Sequence, residues 1–119
     1  MSRSVLIVDD DPTFLSLVTR ILTQAGVEVV ATAEDAAGAI SAANATKPDA
    51  ALVDLGLPDR EGADLAKELA ELPWRPRVVV TSTDSEAGFA LDASDGRPTL
   101  TFIAKEDLAN GALPGLLMS

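Results

Sequence analysis

Five side chains in this 119-residue chain have the types and the spacing to act together: Asp9, Asp10, Asp54, Thr81 and Lys105. Three carboxylates brought to one place repel one another and make sense there only around a cation. The chain has no histidine and no cysteine. Such a cation would therefore meet oxygen ligands alone, which selects a hard ion, Mg²⁺, with Mn²⁺ as a substitute. A lysine beside the cluster would neutralise part of it and hold an anionic oxygen as a point charge. A threonine hydroxyl could donate to a second oxygen. Cation, ammonium and hydroxyl are the parts that phosphoryl transfer requires, because positioning and charge neutralisation supply most of its catalysis. A central carboxylate can then act as nucleophile and form an acyl phosphate.

The elements that must position these residues alternate along the chain. Val5-Leu6-Ile7-Val8 is a continuous apolar run that ends in Asp9-Asp10-Asp11, and runs of this kind suit strands buried on both faces. Phe14, Leu17, Val18, Ile21, Leu22 and Ala25 then recur at helical spacing, with Asp11 as N-cap, Pro12 in the first helical position and Gly26 closing the helix. A second strand is expected from Val27 to Thr32, and a second helix from Asp35 to Ala45 with Ile40 as its one large apolar anchor. Ala50-Ala51-Leu52-Val53 forms a third strand ending at Asp54. The loop Leu55-Gly56-Leu57-Pro58-Asp59 leads to a third helix that starts near Glu61 and carries Leu65, Leu69 and Leu72. Arg77 to Val80 is a fourth strand ending at Thr81, Thr99 to Ala104 a fifth running into Lys105, and Leu108 to Met118 a closing helix. Strands alternating with helices imply a parallel α/β sheet covered on both faces. In such sheets ligands bind beyond the carboxyl ends of the strands. All five singled-out residues fall at those ends.

Composition narrows the classes of function. Asp and Glu number 19 against 9 Lys and Arg, a formal charge of −10, which disfavours direct nucleic-acid binding and suits divalent cations and basic protein partners. Without histidine, no scheme with a histidine base is available. No apolar stretch is long enough to span a bilayer and no signal peptide precedes the first strand, so a cytoplasmic protein is expected. The length fits one domain, residues 1–119.

With these residues in order, the chain resembles the receiver domains of two-component response regulators. The match consists of the acidic pair Asp9-Asp10 after an apolar strand, Asp54 after the third strand, Pro58 four residues and Gly62 eight residues later, Thr81 after the fourth strand, and Lys105 preceded by Phe102. The resemblance implies a five-stranded parallel sheet in the flavodoxin-like order 2-1-3-4-5. It implies that Asp54 takes a phosphoryl group from a sensor histidine kinase or phosphotransfer protein. Asp10, Asp54 and the Gly56 backbone carbonyl would bind Mg²⁺ directly, and Asp9 through water. Thr81 and Lys105 would bind phosphoryl oxygens, Thr81 and Phe102 would form the switch, and Gly56 and Thr83 would set the phosphoryl lifetime. It also implies a signalling domain rather than an enzyme, promoting only its own phosphorylation and dephosphorylation. Phosphorylation would alter the face made by the fourth helix, fifth strand and fifth helix, through which a homodimer could form.

Other readings compete. Asp9-Asp10-Asp11-Pro12-Thr13 also fits the Asp-x-Asp-x-Thr motif of haloacid-dehalogenase-type phosphatases, with Asp9 as nucleophile and Asp11 as general acid. That reading leaves Asp54 and the Pro58–Gly62 loop without a role. A receiver that acts as a non-phosphorylated scaffold is disfavoured by the full set of site residues. Asp11, before Pro12, is read as a helix cap and Trp74 as a loop residue covering the sheet edge. Asp92, Asp95, Gly96 and Pro98 interrupt the pattern between 84 and 98, so a short or irregular fourth helix is expected. As given, the chain carries no basic helix-turn-helix segment after the fifth helix.

Overall fold

The computed structural model describes residues 4–59, 61–82 and 100–104. Five strands, β1 (Ser4–Val8), β2 (Glu28–Ala33), β3 (Ala50–Asp54), β4 (Arg77–Ser82) and β5 (Leu100–Ala104), form one sheet in the order β2-β1-β3-β4-β5. All four pairings are parallel. The helices described are α1 (Pro12–Gln24), α2 (Ala36–Thr46) and α3 (Gly62–Ala70). The expected fourth and closing helices, Thr83 and Lys105 lie outside the described residues, as does the side chain of Phe102.

The sheet has an apolar core on each face because its strands alternate between them. Leu6 and Val8, Ala51 and Val53, and Val78 and Val80 pack with the alanines and leucines of α2 and α3. Val5, Ile7, Ala50, Leu52 and Val79 pack with Leu15, Val18 and Leu22 of α1. Among the described residues, no helix is long and apolar enough to cross a membrane.

The boundaries of β2 and α2 differ from expectation. Val27 does not open the second strand. Its N–H donates to Leu22 O at 2.9 Å while the Gly26 N–H donates to Thr23 O at 3.1 Å, and Gly26 has φ +84°. This is the paired-bond ending of a helix with a left-handed glycine, and Val27 completes it by packing against Leu22. The strand therefore starts at Glu28. The register to β1 slips between Val5 and Leu6, which pair with Val29 and Ala31, so that Val8 pairs with Ala33 and β2 runs one residue further than expected. Helix α2 likewise runs to Thr46, where Lys47 takes a left-handed conformation before Pro48. Its fully buried residues are Ala36, Ala39 and Ala43, with Ile40 only half-buried. Small side chains let α2 lie close on the sheet, and Ile40, its one large apolar residue, packs against the same core while half-buried. The Trp74 indole N–H donates to Pro48 O at 2.9 Å, tying the loop before β4 to the one before β3.

Candidate functional site

The carboxyl ends of β1, β3 and β4 meet as the alternating pattern requires. Asp9 is fixed first: its N–H donates to Ala33 O at 3.0 Å, extending the ladder with β2 by one bond. Its Oδ1 accepts from the Asp11 N–H at 2.9 Å, which turns the chain toward α1. Asp11 caps α1, accepting from the Thr13 N–H at 3.0 Å. That is the capping role expected for it, and not the role of a general acid. Asp54 closes β3, where it pairs with Thr81 of β4. The Leu55 N–H donates to Thr81 O at 2.9 Å.

These constraints bring Asp9, Asp10 and Asp54 together. One carboxylate oxygen from each lies within 4.8 Å of the others. Asp9 is fully buried, Asp54 is 6% exposed, and Asp10 is open to solvent. Each pair of like charges at such a separation costs on the order of 1–3 kcal/mol at the effective dielectric of a protein surface or of water. Beside them lies a second unbalanced group. The Thr81 side chain is fully buried, and among the described residues its Oγ1 has no hydrogen-bond partner. Clustered anionic oxygens fit a hard cation, and an unused hydroxyl donor fits an oxygen of an incoming anion. The residues present therefore suit a divalent ion together with a phosphoryl group.

The loop after Asp54 is shaped by two glycines with different tasks. A Cβ built on Gly56 would lie 3.8 Å from Asp54 Oδ2, an ordinary contact, so residue 56 borders the carboxylate with room to spare. At Gly62 a Cβ would overlap the Asp54 carbonyl oxygen and lie 2.5 Å from Leu55 Cα. The start of α3 can thus reach the end of β3 only with glycine there. The loop borders a cleft of about 450 Å³ lined by Leu55, Gly56, Leu57, Pro58, Asp59 and Glu61.

The Thr81 hydroxyl, without a partner among the described residues, gives a prediction. Burying a hydroxyl without a partner costs about 1–3 kcal/mol, and an apolar group of similar shape avoids that cost. Thr81→Val is expected to raise the urea midpoint of unfolding and at the same time slow phosphorylation. A hydroxyl with a purely structural task would give lower stability instead.

The model of the response regulator receiver domain family matches residues 5–106 of this chain. The chain belongs to that family. Chemotaxis protein CheY of Bacillus subtilis is 30% identical over 93 residues, which are 78% of this chain and 78% of CheY. Transcriptional regulatory protein KdpE of Mycobacterium tuberculosis is 40% identical over 108 residues, covering 88% of this chain but 47% of KdpE. The chain therefore spans under half the length of that relative. A CheY-like receiver domain protein from Methanospirillum hungatei superposes with a TM-score of 0.78 at 26% identity, over 98% of this chain and 94% of that one. The family is one of phosphorelay signalling domains, whose partners are histidine kinases or phosphotransfer proteins. The match disfavours the phosphatase reading of Asp9-Asp10-Asp11.

Sequence reasoning identified Asp9, Asp10, Asp54 and Thr81, and the structure brings these four together. It assigned nothing to Asp59, whose carboxylate bonds span more than 20 residues. No local pattern marks such a contact.

Proposed function

We propose that residues 1–119 act as one phosphoacceptor domain in which Asp54 receives the phosphoryl group. The observation that carries this reading is the meeting of Asp9, Asp10 and Asp54 beside the buried Thr81 hydroxyl. An Asp54 carboxylate oxygen attacks phosphorus, the bond from phosphorus to the donor breaks, and the donor leaves with its electron pair. For a phosphohistidine donor the leaving group is the imidazole of the kinase or phosphotransfer protein. Asp10, Asp54 and the Gly56 carbonyl would hold Mg²⁺, with Asp9 supporting it; when bound, such an ion would supply charge neutralisation at the phosphoryl oxygens and the carboxylates around them. Thr81 donates its hydroxyl to one phosphoryl oxygen and Lys105 its ammonium to another.

The protein-only chemistry ends with the acyl phosphate and its hydrolysis, so the domain is a signalling switch and not an enzyme acting on separate substrates. Thr81 moving toward the phosphoryl group, with Phe102 following, would pass the change to the face around β5, where a phosphorylation-dependent homodimer could form. Net charge −10 argues against nucleic acid as a direct partner of this segment. A cytoplasmic location fits a kinase-fed switch.

Incubation with acetyl phosphate and Mg²⁺, followed by intact mass measurement, tests the reading. A gain of one phosphoryl group that disappears when EDTA replaces Mg²⁺ is expected. A gain unaffected by EDTA would contradict the metal-assisted transfer. No gain, with Mg²⁺ binding also absent and the fold intact, would favour a non-phosphorylated scaffold.

A further inference from the structure

Two carboxylates from different parts of the chain hold the N-terminus of α2. Asp35, its own N-cap, accepts from the Gly38 N–H at 2.7 Å, an ordinary local cap. Asp59 accepts from the Ala36 N–H with Oδ1 at 2.9 Å and from the Ala37 N–H with Oδ2 at 3.1 Å. The Asp35 carbonyl takes the Ala39 N–H at 3.1 Å. The N–H groups of the first three helical residues, Ala36, Ala37 and Gly38, therefore all have side-chain acceptors.

The consequence for the site lies at the other end of the Asp59 contact. Two charge-assisted bonds from one carboxylate fix its position and its orientation. They fasten the loop at Asp59 to a helix packed on the sheet core. Nearer Asp54 the same loop is held by the Leu55 N–H on Thr81 O at 2.9 Å and the Gly62 N–H on Leu55 O at 3.2 Å. Gly56 lies between these fastenings, beside the Asp54 carboxylate. A glycine-containing loop anchored only next to Asp54 would sample many backbone conformations, and ordering it would oppose binding of any ion that needs a carbonyl from it.

We propose that Asp59 is a positioning residue for the cation site: its clamp on α2 holds the 55–59 loop with the Gly56 carbonyl at the acidic cluster. The proposal rests on the reading of Asp9, Asp10, Asp54 and Gly56 as Mg²⁺ ligands. It makes α2 a support of the site although α2 contributes no ligand.

Titrating Mg²⁺ into the full chain while following backbone amide resonances by NMR measures ion affinity without any reaction. Asp59→Ala is expected to weaken Mg²⁺ about tenfold, the effect of losing a contact behind a metal ligand. Asp59→Asn keeps one acceptor oxygen and is expected to fall between Asp59→Ala and wild type, and it carries the test if the alanine variant does not fold. Asp35→Ala removes the local cap of the same helix and leaves the loop contact in place. It is expected to lower the melting temperature with Mg²⁺ affinity unchanged. Wild-type affinity in both Asp59 variants, or equal weakening by Asp35→Ala, would overturn the proposal. A wild-type chain that shows no Mg²⁺ titration would overturn the metal-site reading beneath it instead.

Discussion

Asp54→Asn is expected to abolish the phosphoryl mass gain while leaving the folded chain no less stable. The carboxylate is the nucleophile, so replacing it with an amide of the same shape removes the reaction path and lowers the rate by several orders of magnitude. Stability should move the other way. Asp54 is almost fully buried and shares its site with Asp9 and Asp10. Removing one charge of the three relieves repulsion of on the order of 1–3 kcal/mol per pair. Urea unfolding without Mg²⁺ is expected to show Asp54→Asn at or above the wild-type midpoint. With Mg²⁺ the order should reverse, because an ion that binds the native state stabilises it more the tighter it binds, and the variant lacks a ligand. This crossover separates a metal-binding nucleophile from a merely buried aspartate, for which Mg²⁺ would make no difference.

Gly62→Ala is expected to harm both fold and site. The added methyl would meet the Asp54 carbonyl oxygen and Leu55 Cα, with Asp54 C at 2.9 Å. All are backbone atoms at the end of a buried strand, and none can rotate away. Helix α3 must then shift off β3, stretching the bond from the Gly62 N–H to Leu55 O. Alanine gains up to about 1 kcal/mol over glycine in a helix, but overpacking of this kind costs about 1–3 kcal/mol or more. A net loss in the urea midpoint is expected, with slower phosphorylation because the Asp54 backbone moves. Gly56→Ala is the control. Among the described residues its methyl meets nothing closer than 3.8 Å, and stability should stay within about 0.5 kcal/mol of wild type. Equal effects of the two substitutions would contradict this geometry.

The parts of this structure that were legible in the sequence are those set by local pattern. Val5–Val8 and Ala50–Val53 read as strands because a strand covered on both faces needs an unbroken apolar run. Once the elements alternate, a parallel sheet delivers the carboxyl ends of its strands to one edge, so Asp9, Asp54 and Thr81 had to converge. Helix α1 was legible at both ends because Asp11, Pro12 and Gly26 are direct consequences of helix geometry. What stayed hidden depends on distant partners. The slip opposite Val5 and Leu6 is a property of two strands together. The burial of Thr81, whose Oγ1 has no partner among the described residues, follows from its place between β3 and β5. Asp59 looked like a loop residue after Pro58, because the amides it holds lie 22 and 23 residues away. Gly62 was legible by its spacing from Asp54, but the reason for a glycine there, close approach to the Asp54 carbonyl, needed the fold.

The most direct test of the central claim locates the phosphoryl group at one residue. After reaction with acetyl phosphate and Mg²⁺, borohydride reduces an aspartyl phosphate to homoserine, and peptide fragmentation then reads its position. Homoserine at position 54, absent without the phosphodonor, is the predicted result. Homoserine at position 9 with Asp54 unchanged would contradict the account and restore the phosphatase assignment of the nucleophile.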